Sequence, residues 1–212
     1  MLLTLLISII PEYFKDVNIP VVLLDNYIPG KNYNCITSNG FDGSYFVISK
    51  MIKRGYKKIV HLHGSLSYYG FKTRYDGYKS AMRENGLMPE TFECDETEES
   101  IKYALNLVLS KNPEVIFASN DPVALIVIKL LKNMKIKVPE DIQVIGFDDI
   151  IKSSISNPKL STVKIFKYEM GNNAALRITE LINGINIHPV MSSVFTEFVE
   201  RETTKGGKKD EK

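Results

Sequence analysis

The sequence predicts an α/β protein built on parallel β-sheet, and two features of its 212 residues support that class. Short apolar runs alternate with segments of helical periodicity, which is the pattern of a parallel sheet covered by helices. Two of the apolar runs end in adjacent polar residues, Asn120 with Asp121 and Asp148 with Asp149. Ligands bind beyond the carboxyl ends of the strands in open α/β sheets. The sequence therefore predicts a binding site at this edge.

Strands are predicted where a short apolar run lies between turn-forming residues. In chain order these runs are Leu2–Ile7, Val21–Leu24, Lys58–Leu62, Val115–Ala118, Gln143–Phe147 and Ser193–Val199.

Helices are predicted where apolar residues recur at helical spacing, and three of them stop at a glycine that can adopt the left-handed C-cap conformation, namely Gly55, Gly86 and Gly184. In chain order the helices are Pro11–Asp16, Gly43–Arg54, Arg74–Asn85, Glu98–Ser110, Pro122–Met134 and Lys167–Asn183. Asp121 is predicted to be the N-cap of the helix that Pro122 opens.

The composition excludes several classes of protein. With 44% hydrophobic and 25% charged residues, the chain is typical of a soluble globular protein of one or two domains. The net charge is only +2, and much of the surplus lies in residues 205–212, which are predicted to be a disordered tail. The basic face of a DNA-binding module is not evident elsewhere. Cys35 and Cys94 form no metal-ligand pattern and indicate reduced thiols in the cytoplasm.

The apolar N-terminal run, Met1 to Ile10, has two interpretations. No Lys or Arg precedes it and no small-residue cleavage site follows, which disfavours a secretory signal. It is also too short to cross a bilayer as a helix, which takes about 20 residues. We interpret Leu2–Ile7 as a buried strand, and a cleaved signal peptide is the alternative.

Longer motifs connect the chain to a known family. In order and spacing it resembles the LacI/GalR transcriptional regulators through Phe117–Ala124, Val138–Asp149 and Pro158–Val163, and also through Pro20–Asp25, Arg74–Tyr78 and Arg201–Thr204. The resemblance covers the C-terminal part of such a regulator. The helix-turn-helix, the hinge helix and the first strands of the effector-binding core have no counterpart.

The resemblance implies two doubly wound parallel-sheet subdomains of periplasmic-binding-protein type, of which the N-terminal one is incomplete. Residues 1–38 and 162–188 would be the remnant of the N-terminal subdomain. Residues 39–161 and 189–204 would form the C-terminal subdomain.

Six residues are candidates for ligand binding: Asp25, Tyr68, Arg74, Phe117, Asn120 and Asp148. The guanidinium of Arg74 is a planar fork of donors suited to hydroxyls, carboxylates or phosphates. Its charge near a predicted helix N-terminus opposes the helix dipole, so a purely structural reason for it is weak. By resemblance, Asp25, Arg74 and Asp148 match family residues that contact the effector.

Each of the other candidates has a competing structural interpretation. Asp25 could close an Asx-turn, and Phe117 could be ordinary core. Asn120 can offer both a donor and an acceptor to a ligand, and Tyr68 in its loop could help to select the effector.

Catalytic and metal chemistry are not predicted. His61 and His63 alternate along a strand and so share a face, but no Cys or Glu stands at zinc-ligand spacing. The chain lacks a P-loop, a nucleophilic serine elbow and a recognisable Cys/His pair. No cofactor is expected.

The predicted function is therefore the effector-binding and dimerisation core of a LacI/GalR-type regulator. A sugar or sugar phosphate would bind in a cleft between the subdomains, and operator DNA would be contacted only through a helix-turn-helix absent from this chain. A homodimer using helix Lys167–Asn183, a cytoplasmic location and no membrane contact are implied. The alternatives are the sugar-binding protein of a transporter and a sugar- or nucleotide-modifying enzyme.

Overall fold

The computed structural model describes residues 19–205. The predicted strand Leu2–Ile7, the predicted helix Pro11–Asp16 and residues 206–212 of the predicted tail lie outside that range. The chain divides into two compact units. Unit 1 contains the described residues up to Ser38 together with Lys167–Val194, and unit 2 contains Asn39–Phe166 together with the described residues from Phe195 onward.

The strands of the described range are β1 (Val22–Leu24), β2 (Asn34–Ser38), β3 (Ile59–His63), β4 (Glu90–Glu93), β5 (Val115–Ala118), β6 (Gln143–Asp148), β7 (Ser161–Ile165), β8 (Met191–Val194) and β9 (Thr196–Val199). The helices are α1 (Gly40–Lys53), α2 (Tyr69–Glu84), α3 (Glu98–Leu109), α4 (Asp121–Asn133), α5 (Ile151–Ile155) and α6 (Lys167–Ile182). Within the described residues, no helix is both long and apolar enough to span a bilayer.

Unit 1 is a parallel sheet in the order β1-β2-β8, and α6 packs against β1 and β2. Arg177 on α6 is buried and fastens the helix to the sheet, because its Nε donates to the Asn34 side chain and its guanidinium also donates to the backbone oxygen of His188. Asn34 in turn accepts from the backbone N–H of Val190. Helix and sheet are thus joined through one polar network.

Unit 2 has a sheet in the order β4-β3-β5-β6-β7-β9, parallel throughout except for β9, which is antiparallel to β7. Both faces are covered, as a parallel sheet requires. Alternate strand residues enter two separate apolar cores, so that Val115 and Phe117 pack with α1 and α2 while Ile116 and Ala118 pack with α3 and α4. The predicted doubly wound α/β class is confirmed.

Several elements differ from the prediction. Strands β2, β4 and β7 and helix α5 were not predicted from the sequence. Helix α2 begins at Tyr69 rather than Arg74, so Arg74 lies inside the helix. The single predicted strand Ser193–Val199 is two strands, because β8 pairs with β2 in unit 1 and β9 pairs with β7 in unit 2.

The division between the units follows from these pairings. One boundary lies after Ser38. The other two lie after Phe166 and after Val194, not after residues 161 and 188. The later positions arise because β7 pairs with β6 and so belongs to unit 2, whereas β8 belongs to unit 1.

Candidate ligand-binding site

The candidate site lies at the carboxyl ends of β5 and β6 in unit 2, and Arg74 of α2 joins them. Arg74 is only 4% exposed. Its guanidinium donates to the backbone oxygen of Ser119 and, over 2.9 Å, to Oδ1 of Asp148. The aromatic ring of Phe147 supports the guanidinium from one side, with 3.9 Å between Cζ of Arg74 and the ring centroid. The predicted proximity of Arg74 and Asp148 is therefore present in the structure.

Two polar atoms at this position have no hydrogen-bond partner among the residues described. They are Nε of Arg74 and Oγ of Ser119, and both are buried. A buried polar group without a partner costs about 1–3 kcal/mol. The Asp148 carboxylate is partly open, with 21% of its side chain exposed. A ligand that reaches the Asp148 carboxylate would lie next to the buried guanidinium of Arg74.

The backbone at the end of β6 has an uncommon conformation. Asp148 has φ of 111° and Asp149 has φ of 49°, in a region that residues with a side chain rarely adopt. Such strain persists where surrounding contacts hold it and is frequent at ligand sites. Here Arg74 holds the Asp148 carboxylate, and Arg201 binds the Asp149 carboxylate over 2.7 Å.

Asn120 and Asp121 have different roles in the structure, and only the prediction for Asp121 is contradicted. Asn120 is the N-cap of α4, since its Oδ1 accepts from the backbone N–H of Val123. Asp121 was predicted to be that cap, which is wrong. Its carboxylate is buried and accepts from the Ile150 N–H and the hydroxyls of Ser153 and Thr162. Burial raises the pKa of Asp121, and the three hydrogen bonds oppose that shift.

The side-chain amide of Asn120 also has a partner. Its Nδ2 donates over 2.8 Å to the carboxylate of Glu96, which precedes α3. Glu96 was not among the residues predicted for the site. The sequence contains no signal for it, because β4, the strand that brings this segment to the same sheet edge, was not predicted either.

Phe117 was predicted to form an aromatic wall of the site, but in the structure it lies in the core of unit 2. Its side chain is completely buried in the core beneath α1 and α2, where it stacks on His61 with 4.8 Å between ring centroids. Successive side chains of β5 point to opposite faces of the sheet, and this places the side chain of Phe117 in the core. The core interpretation of Phe117 is the one that the structure supports.

Tyr68 and Asp25 keep their candidate roles as predictions. Tyr68 is the N-cap residue of α2 and 36% exposed, with its ring edge-on to Phe71. Asp25 follows β1 in unit 1 with φ of 52°, and its Oδ1 accepts from the N–H and hydroxyl of Ser38.

His61 and His63 share one face of β3, as predicted, with ring centroids 5.6 Å apart. Nδ1 of His61 donates to the backbone oxygen of Phe117, and Nδ1 of His63 donates to that of Gly64. Burial lowers the pKa of His61 to about 3, so its ring is neutral at physiological pH. Within residues 19–205 no cluster of three or more His, Cys, Asp or Glu side chains could hold a metal ion.

Comparison with known proteins identifies the family. Residues 48–204 match the family described as the periplasmic binding protein-like domain. The chain belongs to this family.

Proteins of known name that are similar to this chain include transcription regulators. The chain is 30% identical over 197 residues to the HTH-type transcriptional repressor PurR of Pasteurella multocida, covering 89% of this chain and 58% of the relative. It is 28% identical over 204 residues to the ribose operon repressor of Halalkalibacterium halodurans, covering 93% of this chain and 60% of that protein.

A solved structure of a transcription regulator is also similar to this chain. The structure of the transcription regulator CcpA of Lactococcus lactis matches with a TM-score of 0.87 at 25% identity, covering 94% of this chain and 75% of that one. The resemblance to LacI/GalR regulators is thereby confirmed. The chain spans 58–60% of the length of the two curated relatives.

Proposed function

We propose that the chain is the effector-binding part of a LacI/GalR-type transcription regulator and that it binds a sugar or sugar phosphate. The observation that carries this proposal is the buried guanidinium of Arg74, held between the Ser119 carbonyl and the Asp148 carboxylate at the ends of two parallel strands. One side chain supplies donors and the other supplies acceptors, which is the pair that vicinal hydroxyl groups require.

Binding without chemical conversion is part of the proposal. Arg74 and Asp148 hold each other in fixed positions. The nearby carboxylate of Asp121 is enclosed by its own three donors and the ring of His61 is buried, so neither is presented to a ligand as an acid or base. The ligand would act by stabilising one of two conformations, which requires different affinities for them.

The names of the relatives favour a regulator over the alternatives. Two curated relatives are repressors, and one of them is named for the ribose operon. These names favour a regulator over the sugar-binding protein of a transporter and over an enzyme. Action in the cytoplasm, homodimerisation, and operator binding through a helix-turn-helix in a longer protein belong to the same proposal.

Substitution of Arg74 tests the site. In thermal-shift and calorimetric titrations with free pentoses, hexoses and their phosphate esters, we expect at least one compound to raise the melting temperature of the wild-type protein. Arg74→Ala should weaken its binding about 10- to 100-fold, since hydrogen bonds to charged groups contribute about 1.5–3 kcal/mol. Arg74→Lys should also bind weakly, because a single ammonium cannot reproduce the fork.

Arg83→Ala is the matched control, because Arg83 is an exposed arginine in the last turn of the same helix. It should bind like the wild type, and circular dichroism should show that all variants are folded. Equal affinity in the wild type and Arg74→Ala would contradict the proposed site. Conversion of the bound compound, followed by NMR, would contradict binding without chemistry. Asp25→Asn in the same assay tests the prediction for Asp25.

A further inference from the structure

Glu96 places a second carboxylate at the sheet edge that carries Arg74 and Asp148. The strands of unit 2 run in the order β4-β3-β5-β6. Glu96 follows β4 and accepts from the side-chain amide of Asn120, the residue next to Ser119, whose carbonyl binds Arg74. The Glu96–Asn120 hydrogen bond and the Ser119–Arg74–Asp148 hydrogen bonds therefore form one row of polar groups across the strand ends, joined by the peptide bond between Ser119 and Asn120.

The charges in this row do not balance. Arg74 forms an ion pair with Asp148, and Arg201 forms one with Asp149. Within residues 19–205, no Lys or Arg forms an ion pair with Glu96. The row thus has two carboxylates, Glu96 and Asp148, and one cation, Arg74.

The N-terminus of α4, which follows Asn120, is not arranged to bind an anion. Helix N-termini bind phosphate through free backbone N–H groups. At α4 the Asn120 side chain already accepts from Val123, Pro122 has no N–H, and the acidic Asp121 occupies the first turn. A phosphate near Asn120 would meet the Glu96 carboxylate without the compensation that a helix N-terminus gives.

Unpartnered buried atoms at the centre of the row support contact with a ligand. Arg74 and Ser119 are 4% and 1% exposed, and each has a buried polar atom without a partner among the described residues. Both residues are joined to each other at the centre of the row. An acidic cluster alone would carry no such indication.

We propose that Glu96 is a specificity-determining residue of this site and that it selects a free, hydroxyl-rich compound over the corresponding phosphate ester. This rests on the function proposed above and narrows its ligand class. Glu96 accepts a hydrogen bond from a ligand hydroxyl, and its charge repels a phosphate. The competing location for a phosphate is the N-terminus of α2, which has neither a side-chain cap nor an acidic first turn.

The test compares matched pairs of compounds, such as D-ribose with D-ribose 5-phosphate and each free hexose with its 6-phosphate, by calorimetry at low ionic strength. The wild-type protein should bind the free member of the best pair at least ten-fold more tightly. Glu96→Gln keeps an acceptor for Asn120 but removes the charge. It should reduce that ratio about ten-fold, mainly by tighter binding of the ester.

Glu99→Gln is the matched control, because Glu99 is, like Glu96, an exposed acid, and it lies in the first turn of α3 that follows Glu96. It should leave the ratio within two-fold of the wild type. A wild-type protein that prefers the ester, or a ratio unchanged in Glu96→Gln, would overturn the role of Glu96. The proposed function would stand if Arg74→Ala still weakened binding. Absence of binding to every member of the panel would count against the proposed function and this inference together.

Discussion

Three donors surround the Asp121 carboxylate, and each belongs to a different part of the chain from Asp121 itself. They are the N–H of Ile150 after β6, the hydroxyl of Ser153 on α5 and the hydroxyl of Thr162 on β7. A buried carboxylate is tolerated only when such bonds replace water. Asp121 therefore fixes the turn that carries Asp148 and Asp149, although it is too deeply buried to touch a ligand.

His61 provides a test of stability at the residue scale. Burial lowers its pKa from 6.5 to about 3. Between these values the unfolded chain binds a proton that the folded protein does not, so the free energy of unfolding should fall as the pH decreases through this window. The slope is at most about 1.4 kcal/mol per pH unit. In urea titrations, His61→Phe should lessen the stability lost between pH 7 and pH 5 by about 2 kcal/mol.

His188→Gln is the control for this measurement, because His188 is exposed and only its backbone oxygen is bonded. It should retain the pH dependence of the wild type. The assigned role of His61 would be refuted by a pH profile that is the same in His61→Phe and the wild type.

Individual site residues were predictable to different degrees from sequence. Arg74 and Asp148 stand in recognisable motifs at element ends, and the structure joins them. Phe117 has the residue type of a sugar-contacting wall, but its strand position turns it into the core. The contact between Glu96 and Asn120 connects segments 24 residues apart through the spatial order of the strands, which local sequence does not encode.

At the scale of the elements, the close approach of α1 and α2 depends on Gly77. A Cβ atom at this position would overlap the backbone carbonyl of Phe41 on α1. Backbone atoms cannot move aside as a side chain can. We expect Gly77→Ala to lower the free energy of unfolding by about 1–3 kcal/mol, the range for overpacking, despite the higher helix propensity of alanine. Chemical denaturation measures the change.

Gly171→Ala is the matched substitution in α6, where no atom of residues 19–205, apart from the neighbouring helix backbone, lies within 4 Å of the added Cβ. There the helix propensity of alanine acts alone and should stabilise by up to about 1 kcal/mol. If both alanines stabilised the protein, the proposed overlap at Phe41 would be refuted.

Elements with a strong apolar pattern were predicted, and those without it were not. β3, β5 and β6 are apolar runs that pack on both faces. β2 is completely buried although its sequence, Asn-Cys-Ile-Thr-Ser, is mostly polar. The side chains of Asn34 and Thr37 meet partners in the segment after α6. Long-range pairing of this kind overrides local propensity, and sequence periodicity does not report it.

At the scale of the whole molecule, the proposed homodimer is a testable property. Helix α6 carries exposed apolar side chains, Tyr168, Leu176 and Ile182, which are 87%, 66% and 68% exposed. At 3.6 residues per turn, these three side chains fall within one stripe that covers about a third of the helix circumference. Light scattering should give the mass of a dimer for the wild type, and Leu176→Glu should convert it to monomer by placing a charge on that stripe.

Leu107→Glu is the control for assembly, since Leu107 is a 42% exposed leucine on α3. It should remain dimeric. A monomeric wild-type protein at tens of micromolar, or equal dissociation by both substitutions, would contradict a dimer formed through α6.

Residues 196–204, which return the chain from unit 1 to unit 2, have a consequence for protein synthesis. β9 lines the outer edge of β7, and Thr203 then accepts from the N–H of Ser161 and donates to the oxygen of Val144. On the ribosome, these backbone groups have no permanent partner until residues 196–204 emerge. Nascent chains arrested before that point should expose the β7 edge and recruit chaperones, whereas chains from which residues 196–204 have emerged can complete the sheet.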